Sequence, residues 1–229
     1  PTQAIIDAAL AHVGTDKVSF DDAASTIALP AGEMEINLGG IGKGFAIDAI
    51  ADFLTERNVG DFIIHGGQSS VAARGGQADA TSNTDTNTDA GADVGSENPP
   101  RGWPVGLSHP HRPDHRLAHF FLTDTALATS GTGRQGFFHA GRRYGHVIDP
   151  RTGWPTDHHL SATVITRSAA VCDALATAFF VMTMDEIEAY CRRHHDVSAV
   201  IVRPADGDHA SDALQIDSFN LADEAWELA

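Results

Sequence analysis

Asp173 and Thr177, in SAAVCDALATAFF, stand four residues apart and so share one face of a helix. Their neighbours Ala174, Leu175, Ala176, Phe179 and Phe180 are apolar, which implies a buried helix whose carboxylate needs a partner. Carboxylate and hydroxyl oxygens are the hard ligands that magnesium accepts. The pair also fits a plain aspartate near a helix start and a threonine bonding back to its own turn.

A second candidate is INLGGIGKGFAID, Ile36 to Asp48, with glycines at 39, 40, 42 and 44 around Lys43. Backbone N–H groups freed by glycines, at a helix N-terminus beside a lysine, can receive anionic oxygen. A Walker loop needs a hydroxyl after its Gly-Lys, and Gly44 supplies none. The dinucleotide fingerprint also fails, because Phe45 stands where its third glycine belongs. An anion cradle and a plain strand-to-helix turn both remain open.

HVIDPRTGWP, His146 to Pro155, joins His, Asp, Arg and Thr on a turn stiffened by Pro150 and Pro155. Such a turn suits a polar ligand, and a hydrogen-bonded hairpin turn explains it equally well. The thirteen histidines include His109, His111, His115 and His119, then His158-His159 and His194-His195. Neither HExxH nor CxxC accompanies them, so they read as surface residues rather than zinc ligands.

These residues need elements to hold them. Glu35 to Leu38 reads as a short strand. A helix is expected over Gly44 to Asn58, with Phe45, Ile47, Ile50, Phe53 and Leu54 set against Asp48, Asp52 and Glu56. Asn58-Val59-Gly60 ends it, and Phe62 to His65 follows as a strand before Gly66-Gly67. Gly75 to Arg101 has no aromatic residue and little else that could offset the entropy of ordering, so a flexible acidic insertion is expected at about 75–101. Further strands are expected at Trp103 to Ser108, His119 to Leu122, Ala126 to Ser130, Tyr144 to Ile148 and Ser161 to Ile165. Helices are expected over Ala169 to Met182, and from a capping box at Thr183-Met184-Asp185-Glu186 to His195. Ser198 to Val202 and a weak Leu214 to Ile216 complete the strands. Strands in blocks and helices in blocks give α+β, with mixed, largely antiparallel sheets, as one domain over 1–229.

With 42% hydrophobic residues in 229, the chain can bury a sizeable core. No run nears the roughly 20 apolar residues of a bilayer span, and no basic-then-apolar start reads as a signal peptide. The chain is expected to be soluble. A net charge of −16 disfavours nucleic acid and anionic membranes as partners. Only two of the fifteen basic residues are lysines, Lys17 and Lys43, which points to adaptation to high salt. Cys172 and Cys191 are too few for a disulfide framework and read as small buried residues.

Together LGGIGKGFAID, ALATSG (Ala126 to Gly131), HVIDPRTGWP and DALATAFFVM resemble, in order and spacing, the signature segments of the ApbE-type flavin transferases, the FAD:protein FMN transferases. The likeness runs from about Pro1 to Val202. It implies an α+β fold that binds FAD and magnesium and moves FMN from FAD to a threonine hydroxyl of an acceptor flavoprotein subunit, releasing AMP. The metal would be held by Asp173 and Thr177, with backbone oxygens of Gly42 and Ala176. The FAD site would be lined by Gly39, Gly40, Lys43, Asp48, Ser130, Gly131, His146, Pro150 and Thr152. His146, which can titrate near neutral pH, is the candidate to take the threonine proton; with Asp173 it makes the expected catalytic pair. Family members are often exported or membrane-anchored, and the compartment of this chain stays open. Two departures stand out: members usually have a segment before the point matching Pro1, and they read Gly-Gly-Asp where this chain has Gly66-Gly67-Gln68. Magnesium-dependent hydrolysis of FAD to FMN and AMP, and FAD binding without catalysis, are the alternatives.

The composition generates one prediction. Raising potassium chloride from about 0.1 to about 2 M, where the Debye length falls well below 10 Å, should raise the melting temperature by screening acidic self-repulsion. A thermal-melt series in salt checks it, and a flat or falling curve removes the high-salt reading.

Overall fold

The computed structural model describes residues 1–29, 32–77, 102–132, 136–205, 207 and 212–229. Helix α1 (Gln3–Leu10) precedes a small hairpin of β1 (Ser19–Asp21) and β2 (Thr26–Ala28). Next come α2 (Gly42–Thr55), β3 (Phe62–His65), β4 (Ser70–Arg74), β5 (Trp103–Ser108), β6 (Arg116–Leu122) and β7 (Ala126–Gly131). A second hairpin, β8 (Gly136–His139) and β9 (Arg142–Gly145), leads to β10 (Ser161–Thr166). The chain then runs through α3 (Ala169–Val181), α4 (Met184–Arg193), β11 (Ser198–Pro204), β12 (Leu214–Phe219) and β13 (Trp226–Leu228).

Six strands form one antiparallel sheet in the order β12-β11-β10-β7-β4-β3, and β13-β6-β5 form a second. Alternation along each strand divides its residues between two faces. Ala72, Ala126, Ala128, Ala162, Ala199 and Ile201 meet the helices, in one core with Cys172, Ala176, Phe179 and Ile187. Val71, Leu127, Val200 and Val202 face the other way, onto Val105, Leu107, Phe120 and Leu122 of the second sheet. The architecture is therefore helices on a central sheet on a smaller sheet, an antiparallel α+β fold. The column of alanines matters because it lets α3 lie close to the strands.

Helix α3 buries Ala169, Cys172, Asp173, Ala176, Phe179 and Phe180, a stripe at the spacing one helical face requires. The Ser168 side chain accepts from the Val171 N–H at its start. Helix α4 opens with the full capping box: Thr183 accepts from the Glu186 N–H, and Glu186 accepts from the Thr183 N–H at 2.8 Å. Cys172 and Cys191 are buried free thiols, each pushed up to about 11 by burial.

Several expectations need correction. Among the described residues Glu35 to Leu38 pairs with no strand; its backbone leads directly into the turn at 39–41. Helix α2 starts at Gly42 rather than Gly44 and ends at Thr55, with Asn58 in the left-handed region at φ 62° and the Val59 N–H returning to the Leu54 carbonyl. Tyr144 to Ile148 is not one strand: β9 stops at Gly145 and Ile148 makes an isolated bridge to Pro155. Helix α4 ends at Arg193, two residues before His195. Central strand β4 was not expected at all. The acidic insertion expected at 75–101 lies, from residue 78 on, outside the described residues. Two histidines expected at the surface are buried. His109 Nδ1 accepts from the His111 and Arg112 N–H groups, and His159 Nε2 donates to the Met182 carbonyl at 2.8 Å while burial lowers its pKa. Among the described residues no helix is long and apolar enough to cross a membrane.

Helices α2 and α3 meet where Gly44 has no side chain: a Cβ there would collide with the Ala169 carbonyl oxygen and Ala170 Cα. Gly44→Ala is expected to cost about 1–3 kcal/mol, the usual penalty for overpacking, read as a lower melting temperature. A variant as stable as the parent would mean that the two helices do not touch here.

Candidate functional site

Placed on the buried stripe of α3, Asp173 is 5% exposed. Its carboxylate is fully engaged. Lys43 Nζ donates to Oδ1 at 3.0 Å and to Oδ2 at 3.1 Å, Ser70 Oγ donates to Oδ1 at 3.1 Å, and the Gly44 N–H donates to Oδ2 at 3.2 Å. The last donor comes from the first turn of α2, where the helix dipole also favours negative charge. Lys43 Nζ reaches the Gly39 carbonyl as well, at 3.3 Å. One ammonium thus sits among three oxygens.

One helical turn on, Thr177 Oγ1 donates to the Asp173 carbonyl at 3.2 Å, leaving Ser130 Oγ, 3.1 Å away, to donate to it. Ser130 reaches this position because alternation along β7 continues the face of Ala126 and Ala128. Gly40 closes the cluster: a Cβ there would stand 3.5 Å from Thr177 Oγ1. Of the expected residues, Gly39, Gly40, Lys43, Ser130, Asp173 and Thr177 therefore come together, with Gly131 next to Ser130. Gly42 and Ala176, expected as backbone ligands, are chain neighbours of Lys43 and Thr177. The available donors are the Asp173 carboxylate, the hydroxyls of Ser70, Ser130 and Thr177, and the Gly39 carbonyl. An all-oxygen set suits a hard divalent cation, and the ammonium it already holds shows that it accepts positive charge. Among the described residues no group of three or more His, Cys, Asp or Glu could hold a metal.

Asp48 lies elsewhere. Its carboxylate accepts from Ser168 Oγ at 2.7 Å and from the Ala169 and Ala170 N–H groups at 2.8 and 3.0 Å, so it tethers the start of α3. Both of its oxygens are spent on that helix end rather than on the cluster around Lys43. Ser70 was missed because β4, rich in alanine and following two glycines, has little strand propensity.

The HVIDPRTGWP turn packs on the far end of α3. Thr156 Oγ1 donates to the Phe180 carbonyl at 3.4 Å, and Arg151 Nη2 to the Val181 carbonyl at 3.0 Å. Asp149 organises the turn, accepting from the Arg151 backbone at 2.8 Å and from its guanidinium at 2.8–3.1 Å. His146, Pro150 and Thr152 are exposed here. A cavity of about 440 Å³ opens beside them, lined by Tyr144, Asp149, Thr152, Trp154, Thr156 and His158 among others. Eight residues of helix, about 12 Å, separate Asp173 from Val181, so one helix carries two polar centres.

The chain belongs to the ApbE family, whose model matches residues 1–201. It is 28% identical over 204 residues to a FAD:protein FMN transferase of Haemophilus influenzae, covering 86% of this chain and 52% of that protein. A Treponema pallidum protein of the same name is 29% identical over 205 residues, with 89% and 53% covered. The ApbE protein of Thermotoga maritima superimposes with a TM-score of 0.71 at 27% identity, over 88% of this chain and 59% of that one. The flavin transferase ApbE of Vibrio cholerae shares the fold, with a TM-score of 0.72 at 23% identity and 96% and 61% covered. The chain spans about half the length of the curated relatives it matches.

Arg151 also meets Glu186 at 2.9 Å, tying the turn to α4. Its guanidinium, by hydrogen bonding, holds the Asp149 carboxyl below the ordinary aspartate range. A depressed carboxyl stabilises the fold fully above its ordinary pKa and loses that contribution as pH falls through the lower folded value. Arg151→Met should therefore melt below the parent at pH 7, with the gap narrowing below about pH 4. Melting curves at several pH values test this; a gap that is constant with pH would show that the pair does not couple to folding.

Proposed function

We propose that the chain transfers the FMN half of FAD to a threonine hydroxyl of an acceptor protein, with magnesium, and releases AMP. One observation carries the reading: the Asp173–Thr177 face of α3, Lys43 and the glycine bend converge on one oxygen-lined, cation-holding cluster. The relatives named FAD:protein FMN transferases support the substrate. The second centre, a further length of α3 away, gives an extended dinucleotide two places to be held. We read the chain as one ApbE-like domain, because the central sheet carries both cores at once.

In the proposed reaction the threonine oxygen attacks the FMN-side phosphorus. A P–O bond to threonine forms, the bridging P–O bond breaks, and its electron pair leaves with AMP. Lys43 supplies fixed positive charge against the diphosphate oxygens. Asp173 and Thr177, with backbone oxygens of Gly42 and Ala176, would hold magnesium, which supplies charge neutralisation on the diphosphate. Gly39, Gly40, Ser130, Gly131, Pro150 and Thr152 would line the FAD. His146, exposed at the second centre, would take the threonine proton. Asp48 contributes at one remove, by fixing where α3 begins and hence where Asp173 points.

Incubation with FAD, magnesium and a candidate acceptor domain decides between outcomes. Fluorescent acceptor and released AMP are expected. Free FMN with unlabelled acceptor would instead assign FAD hydrolysis, and unchanged FAD would leave a binding protein. His146→Ala should bind FAD normally and transfer FMN about 100-fold or more slowly. Transfer at full rate would take the proton from His146 and give it to another base.

A further inference from the structure

We propose that Lys43 competes with the divalent ion: its ammonium and the ion are alternative occupants of the Asp173 carboxylate, and their exchange frees the lysine for the diphosphate. The inference rests on the metal reading above.

Three features of the cluster lead to it. First, Lys43 Nζ holds positions a cation would take, between both Asp173 carboxylate oxygens and the Gly39 carbonyl. Ser70 and the Gly44 N–H occupy further lone pairs of the same carboxylate, so ammonium and ion cannot both be seated without direct like-charge repulsion. Secondly, the two partners differ in freedom. The Asp173 side chain is 7% exposed and anchored by Ser70 and Gly44, whereas that of Lys43 is 42% exposed on a flexible stem. Exchange therefore moves the lysine and leaves the carboxylate oriented. Thirdly, among the described residues Asp173 is the one carboxylate bonded into the cluster, so an ion seated there keeps coordination positions for other oxygens, and the released ammonium needs a new anion. A diphosphate supplies both. Ion and dinucleotide then favour each other's binding, a reciprocal coupling that passes through one lysine.

The test uses the full chain and magnesium chloride alone, by calorimetric titration, with ionic strength held by potassium chloride and Asp173→Asn as the background for diffuse binding to an acidic surface. Removing a charge-assisted competitor should make Lys43→Met bind magnesium about tenfold more tightly than the parent, with Lys43→Arg no tighter than the parent. In melts with chelator, Lys43→Met should fall below the parent and recover more on adding magnesium. Lys43→Gln, which offers the carboxylate a neutral donor, stands in if the methionine variant does not fold. Equal or weaker magnesium binding by both neutral variants overturns the exchange while leaving the metal site intact. No binding above the Asp173→Asn background in parent and variants alike overturns the metal reading, and the exchange with it.

Discussion

A carboxylate buried on the packed face of a helix cannot stay charged alone. Leaving one such partner unpaired costs roughly 3–5 kcal/mol, a large part of the net stability of a domain. Asp173 meets that constraint with four hydrogen bonds from three residues: Lys43 and Gly44 in the first turn of α2, and Ser70 at the start of β4. The need to satisfy this one group fixes how α2, the glycine bend and the central sheet sit around α3. Gly44 lets α2 come close enough to donate its N–H, and Gly40 lets the bend lie against Thr177.

Helix α3 is then the rail on which the chemistry is arranged. Its start is held by Asp48, its middle by the Asp173 cluster, and its far end by Arg151 of the HVIDPRTGWP turn and by Thr156 just after it. The alanines of β4, β7, β10 and β11 bring the helix down onto the sheet. Where that column reaches the sheet end, Ser70 and Ser130 replace alanine and turn a packing surface into a polar one. Stability and site thus draw on the same contacts. Changes to the small residues beneath α3 would disturb the geometry of the oxygens above them.

Much of this could be read locally. The α3 stripe, the capping box of α4 and the strand runs of β5, β7 and β10 depend on neighbours within a turn or two, and each was recognisable from the local sequence. The elements that escaped are those whose propensity is weak. Strand β4 is mostly serine and alanine, and only pairing with β3 and β7 on both sides makes it a strand. Glu35 to Leu38 has the right composition for a strand but no partner among the described residues, and a strand is defined by its partner.

Local sequence is enough to place a carboxylate and a hydroxyl on one helix face, glycines around a lysine before another helix, and His146 and Thr152 on a proline-stiffened turn. Helical period, glycine freedom and proline rigidity are properties of single residues and close neighbours. It takes the packed fold to bring Lys43 to Asp173 across 130 residues, to add Ser70 to them, and to give Asp48 to the end of α3 instead of the cluster. Those pairings arise from how helices settle on a sheet, where the cost of an unpaired buried charge selects one arrangement that no local pattern encodes.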